Sequence, residues 1–285
     1  MVPRLLLLLC SSAVSSFGYQ TGQPVRQGAY SRAAVGCIFP SDFSSVDLVK
    51  QPATPPPSDV EFDQLASEIL AEEGAVAEAE TALLNACRPC FADGLAPPSA
   101  AQCEAVAKRA LTLELAGTPG SLQAEQTRSA LIGDWRLVFT NSDATLRGGV
   151  SGYGASPLCS TQAVLQRLGA SGAEAASAAL HGPGVGRVQC IEILRMPLGV
   201  RNAIALKGGW RVDEDDEGSI LVSSYEAVEA GGGLELPQLA KGTAVLAAVE
   251  HAGLRARVER APNGALFVWE RQNQPIDQQV NDFLA

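Results

Sequence analysis

Gly133-Asp134-Trp135 opens the run Trp135-Arg136-Leu137-Val138-Phe139-Thr140-Asn141-Ser142. Apolar residues fall at Trp135, Leu137 and Phe139, a period of two, which predicts a half-buried β-strand. A glycine two places ahead of a tryptophan suits the first strand of a small β-barrel: the glycine lets the backbone turn tightly and the indole plugs the closed end. The last extended segment, Phe267-Val268-Trp269-Glu270-Arg271, ends in an arginine placed to lie across the face of Trp135. A guanidinium over an indole is worth roughly 0.5–2 kcal/mol. That pairing brings the first and last strands together, so the expected fold is α+β, mainly β: an antiparallel β-barrel preceded by N-terminal helices.

The flanking pattern agrees. Ser58-Asp59-Val60-Glu61 is a capping-box start, and Phe62, Leu65, Ile69, Val76, Leu83 and Leu84 recur at roughly helical spacing. This predicts an amphipathic helix, or a helical pair interrupted at Gly74, to about Ala86. Ser99-x-x-Gln102 caps another helix to about Leu115, Gly117-Thr118-Pro119-Gly120 breaks it, and a short helix from Ser121 leads into Gly133. After Trp135 the period changes. Gly186 to Arg195, Val200 to Val212, Ser219 to Glu229, Leu254 to Arg260 and Ala265 to Arg271 look extended. Leu254, Ala256 and Val258 alternate cleanly with Arg255, Arg257 and Glu259, and Pro262-Asn263-Gly264 supplies a tight turn into the last strand. Asp213 to Glu217, ahead of Gly218, reads as a solvated hairpin loop, since its spacing does not match a calcium loop. Ser160 to Leu180 is Ala-rich and reads as partly helical; for Gly242 to His251 periodicity does not decide between strand and helix. One of these two stretches is a candidate cover for the barrel mouth.

The first residues read as an address. Arg4, the apolar run Leu5 to Leu9, and small residues at Val14 and Ser16 have the layout of a signal peptide (1–16), too short to span a bilayer, which needs about 20 residues. An acid-free segment beginning at Phe17 continues as a transit peptide-like leader (17–41), followed by a Pro-rich linker (42–57), a helical lead-in (58–130), the barrel (131–275) and a C-terminal tail (276–285). This bipartite leader predicts a plastid destination; the alternative is a secreted protein with an extended N-terminus. Residues 1–41 hold Arg4, Arg26 and Arg32 and no acid, so without them the formal charge of −10 becomes −13. Such acidity excludes nucleic acid, whose phosphates need Lys/Arg neutralisation.

Catalytic chemistry is thin. His181 and His251 read as structural or solvated. There is no Gly-x-Ser-x-Gly elbow and no phosphate loop, because Gly182-Pro183-Gly184-Val185-Gly186 precedes a strand rather than a helix. Cys87-Arg88-Pro89-Cys90 is the one cysteine spacing with redox potential. It completes no zinc set and follows a helix, where no dipole lowers a thiol pKa, so no metal or other cofactor is expected. If the sheet closes, the inward side chains Trp135, Leu137, Phe139, Trp210, Phe267 and Trp269 either fill it or line a ligand site.

Leu131 to Ser142, together with Leu254 to Arg260 and Gly264 to Arg271, resembles the opening and closing motifs of the plastid lipid-associated protein (fibrillin) family. The resemblance covers about Phe62 to Arg271 and is loose between Ser151 and Val185. It implies a lipocalin-like barrel that binds lipids, quinones or pigments at plastoglobules, thylakoids or in the stroma, without catalysis. Gly133, Trp135 and Arg271 carry over as barrel-closing positions. The family often has acidic residues ahead of its closing strands, where this chain has Glu250-His251-Ala252-Gly253. The expected function is therefore the binding of a fatty acid, prenylquinone or carotenoid. The alternatives are a scaffold whose helices dock on plastoglobules or thylakoids around a solid barrel, and an enzyme using Glu192, Glu226 or Glu250 as acid or base.

Overall fold

The structure of the chain, a computed structural model, describes residues 59–91, 94–116, 124–155, 158–170, 186–215, 218–231, 233–236 and 244–285. The leader, the linker, Ser58 and His181 lie outside the described residues.

Helices come first. α1 (Asp59–Cys87) runs unbroken through Gly74, so the lead-in is one helix rather than a pair, and it ends in the 3-10 turn Arg88–Cys90. α2 (Ala100–Ala116) starts at the expected box: the Gln102 N–H donates to Ser99 Oγ (3.3 Å) and the Ser99 N–H to Gln102 Oε1 (2.8 Å), satisfying two backbone donors that the first turn leaves unpaired. α3 (Ala124–Leu131) leads into Gly133.

Among the described residues nine strands follow: β1 (Gly133–Thr140), β2 (Ser160–Leu168), β3 (Gly186–Arg195), β4 (Arg201–Asp215), β5 (Gly218–Ala230), β6 (Leu234–Glu235), β7 (Ala244–Ala252), β8 (Ala256–Arg260) and β9 (Leu266–Arg271). A short helix α4 (Asp143–Gly148) stands between β1 and β2, and α5 (Ile276–Leu284) follows β9. Every pairing is antiparallel, in the order β4-β3-β2-β1-β9-β8-β7-β5, and β4 pairs back onto β5. The result is a closed eight-stranded lipocalin-like barrel, with β6 added to one end of β5. Trp135 is the register partner of Arg271, so the first and last strands do meet. The β8–β9 turn is tight, with Gly264 at φ 80° and its N–H donating to Ala261 O at 2.8 Å.

Two expectations need correction and one ambiguity is settled. Ser160–Leu168 is strand, not partial helix, because both of its faces are covered: Val164, Gln166 and Leu168 point inward, while Ala163 and Leu165 pack with Ile191, Ile193 and Ile276 outside. A segment buried on both sides loses its alternation, and pairing with β1 and β3 overrides the helix propensity of its alanine. Ala244–Ala252 is strand, so neither it nor Ser160–Leu168 covers the mouth, while 171–180 and 242–243 lie outside the described residues; among the described residues the α4 region covers it. The segment 276–285 holds α5, which lies across the outer wall with Val280 and Phe283 against Ala203 and Ala205. Asp134 fixes that helix in place. Its carboxylate takes two hydrogen bonds from Arg167 (2.8 and 3.2 Å) and one from the Ile276 N–H (3.0 Å) at the helix start.

α1 and α2 cover the outside of β8 and β9. Ala256, Val258, Leu266 and Val268 are buried in one core with Leu83, Val106 and Leu113 from the helices. Glu80 of α1 is the latch: its Oε1 accepts from the Arg255 N–H (3.3 Å) and Ala256 N–H (3.2 Å), and pairs with His251 Nε2 (3.1 Å). Burial alone would push this carboxyl up, but the hydrogen bonds from His251, Ala256 and Arg255 together hold it below its ordinary value.

Candidate functional site

The end of the barrel beside α3 is sealed by the three residues expected to close it. Trp135 is fully buried and donates its indole N–H to Leu131 O (2.8 Å). The Arg271 guanidinium lies 4.2 Å over the Trp135 ring, and it donates to Ile132 O (2.8 Å) and to Ala130 O. Gly133 has φ 144°, and a Cβ there would stand 2.6 Å from Arg271 Nη1. Backbone angle and packing therefore both require glycine. α3 completes the seal through a hydrogen bond between Thr127 Oγ1 and Ser219 Oγ (3.1 Å).

Inside, Trp135, Leu137, Trp210 and Trp269 are all buried and take inward-facing register positions. Trp210 donates to Gly169 O at 2.9 Å. A bulge at Val138 shifts the next pairs, so Phe139 faces Val268 and Thr140 faces Phe267. That register puts Phe139, also buried, on the face that α1 and α2 cover, and Phe267 is only partly buried. Of the expected lining set, the structure turns Trp135, Leu137, Trp210, Trp269 and the partly buried Phe267, register partner of Glu259, inside the wall, and turns only Phe139 outward.

The interior also holds charge. The alternation on β8 is present, but both of its faces are buried. Ala256 and Val258 face the helices, and Arg257 and Glu259 face into the barrel. Arg257 is 0% exposed, and its guanidinium is sandwiched between Trp135 (4.9 Å) and Trp269 (4.6 Å). Its Nε lies 3.1 Å from Glu259 Oε1, and its Nη2 donates to Gln166 of β2. Glu259 Oε2 accepts from the Trp269 indole (2.9 Å). Burial lowers the Arg257 pKa against the pull of Glu259, and raises that of Glu259 against the pull of Arg257. Tyr225 and Cys190 join this group, and burial holds the Tyr225 hydroxyl well above its usual range and lifts the Cys190 thiol to about 12. The readable signal for this cluster was opposite charges at i and i+2, two side chains on one face of a strand that can neutralise each other.

The other end, the mouth, is covered by Ser142 to Tyr153. Ser142 caps α4, with the Thr145 N–H donating to its Oγ at 3.3 Å. Val150 and Tyr153 pack against the main core. The segment is tied to Glu192 of β3, which is 0% exposed and points inward between Val164 and Ile204 in register. The Ser151 N–H donates to Glu192 Oε2 (2.9 Å), and Ser151 Oγ, Thr161 Oγ1 and the Val150 N–H also donate to the carboxylate. Burial raises the pKa of Glu192 despite these donors. Gly149 and Gly154 leave no room for a Cβ beside it.

The remaining candidates are scattered. Glu226 sits at a bulge of β5, half-buried. Glu250 sits at a bulge of β7 near Arg260 (3.7 Å), with its pKa raised by burial and by Glu114. His251 is taken up by Glu80. Cys87 and Cys90 are buried free thiols at the end of α1, both with pKa raised by burial. A groove of about 280 Å³ lies outside the barrel, between β3–β4 and α5, lined by Ile191, Ala203, Ala205, Lys207, Asp277 and Val280. Among the described residues no group of His, Cys, Asp and Glu is arranged to hold a metal ion, and no helix is long and apolar enough to cross a membrane. Comparison with protein-family models, with curated proteins and with solved structures finds no match to this chain.

Proposed function

We propose that the chain is a non-enzymatic lipid-handling barrel of the plastid, of the fibrillin kind, that takes a hydrophobic molecule such as a fatty acid, prenylquinone or carotenoid into its interior. The observation that carries this reading is the closed barrel with three indoles turned inward, two of them flanking the buried Arg257. Burial of apolar surface supplies about 25 cal/mol per Å², so an elongated lipid gains affinity without catalytic groups. Glu192, the best placed carboxyl for an enzyme, has its oxygens engaged by Ser151, Val150 and Thr161, which supports binding over chemistry. The test is native purification of the recombinant chain, organic extraction and mass spectrometry, with titration of a fluorescent fatty acid and a quinone. Reproducible co-purification of one lipid class is the expected result. A clean extract together with flat titrations would count heavily against the proposal.

A second reading, a scaffold docking on plastoglobules or thylakoids, is favoured by the tight packing around Arg257, which has no exposed surface. It expects flat titrations, and flotation with lipid particles that is lost when 58–115 are deleted.

A further inference from the structure

Resting on the ligand-holding reading for its purpose but not for its mechanics, we propose that Ser142–Tyr153 is a latched gate over the barrel mouth, with the Glu192 carboxylate as the latch. Three observations place it there. The gate comes between β1 and β2 and belongs to neither, so it can lift without breaking a ladder pair. It meets the wall through Val150 and Tyr153, which rest on the core, and through the Ser151 and Val150 donors on Glu192. Its backbone turns at Gly149 (φ 65°) and Gly152 (φ 79°), conformations that glycine adopts freely.

The latch itself stays with the wall. Glu192 is rooted in β3 and is also held by Thr161 of β2, so the carboxylate remains in position when the gate leaves. Lifting the gate strips Glu192 of its Ser151 and Val150 donors and exposes Val164 and Ile204, its inward-facing register partners. Opening exchanges these bonds for water and uncovers apolar side chains, so the closed form is favoured until something replaces those contacts. The opened rim is an apolar entrance around one oxygen-rich point, which suits an elongated lipid whose far end carries a hydroxyl able to donate to Glu192. The gate and the sealed end at Trp135 make the barrel a one-door container.

Hydrogen exchange on the full chain tests the gate without any ligand. In Ser151→Ala, which removes one donor from an exchangeable segment and leaves the strands intact, amides of 143–153 should exchange roughly tenfold faster while β2, β3 and β4 keep their protection. Glu192→Gln, which keeps the shape and loses the charge, should do the same. No change in either variant, or acceleration of the strands in step with 143–153, would overturn the gate. A stopped-flow arm separates the two ideas: a fluorescent long-chain alcohol should enter several-fold faster in Ser151→Ala. Faster exchange with no uptake in any form would leave the gate standing and remove the ligand-holding reading. Uptake in the wild type at a rate that neither variant changes would remove the gate alone.

Discussion

Arg257→Met strands the Glu259 carboxylate inside the barrel and should destabilise the fold by about 3–5 kcal/mol. The double change Arg257→Met with Glu259→Leu removes both charges and should recover most of that loss, because apolar groups of similar size can replace a buried pair at little penalty. Denaturant midpoints of the two single variants and the double one complete the cycle, and strict additivity would show that the pair is not coupled. Gly133→Ala tests the sealed end: it forces a Cβ towards Arg271 Nη1 at a positive φ. A loss of about 1–3 kcal/mol is expected. At this scale the sequence was legible in part. Gly133, Trp135 and Arg271 announced their contact, whereas Arg257 and Glu259 sat on a strand whose alternation suggested one buried face. Two faces were buried because helices cover the outside, and nothing local in Leu254 to Arg260 records the presence of that second layer.

Elements are held to the barrel by polar latches set in apolar contacts. Glu80 holds α1, and its carboxyl lies below the ordinary value of 4.5. A folded value lower than the unfolded one means the latch stabilises above the ordinary range and loses that contribution as pH falls through the folded value. Acidification below about 4.5 should therefore loosen α1 before the strands, read as faster exchange of 73–87 with the sheet still protected. Glu80→Gln should show the loosening already at neutral pH. Deleting 276–285 uncovers Ala163, Leu165, Ile191 and Ile193, and should raise dye binding and lower the thermal midpoint. Helix starts such as Ser99 with Gln102 were readable because capping is local. The covered strand β2 was not, because coverage by α5 comes from residues more distant in sequence.

At the scale of the molecule, closure was legible from its two ends alone, since the glycine–tryptophan entry and the terminal arginine describe one contact. The container's door was not, because Ser142–Tyr153 has no period and gains its meaning only from Glu192 on another strand. The barrel should unfold in one step with all strands together, since removing any one of them opens two edges; a separate early transition of β1–β3 by exchange would argue against a single cooperative unit.

The seam between β1 and β9 joins the beginning of the barrel to its end. A chain leaving the ribosome exposes the greasy sides of α1 and α2, with Leu83, Val106 and Leu113, long before β8 and β9 exist to receive them. Contacts of such long sequence separation form late and slowly. Until the final hairpin exists those faces stay uncovered, so a chain truncated ahead of β8 should bind an apolar dye and be cleaved by protease faster than the full chain.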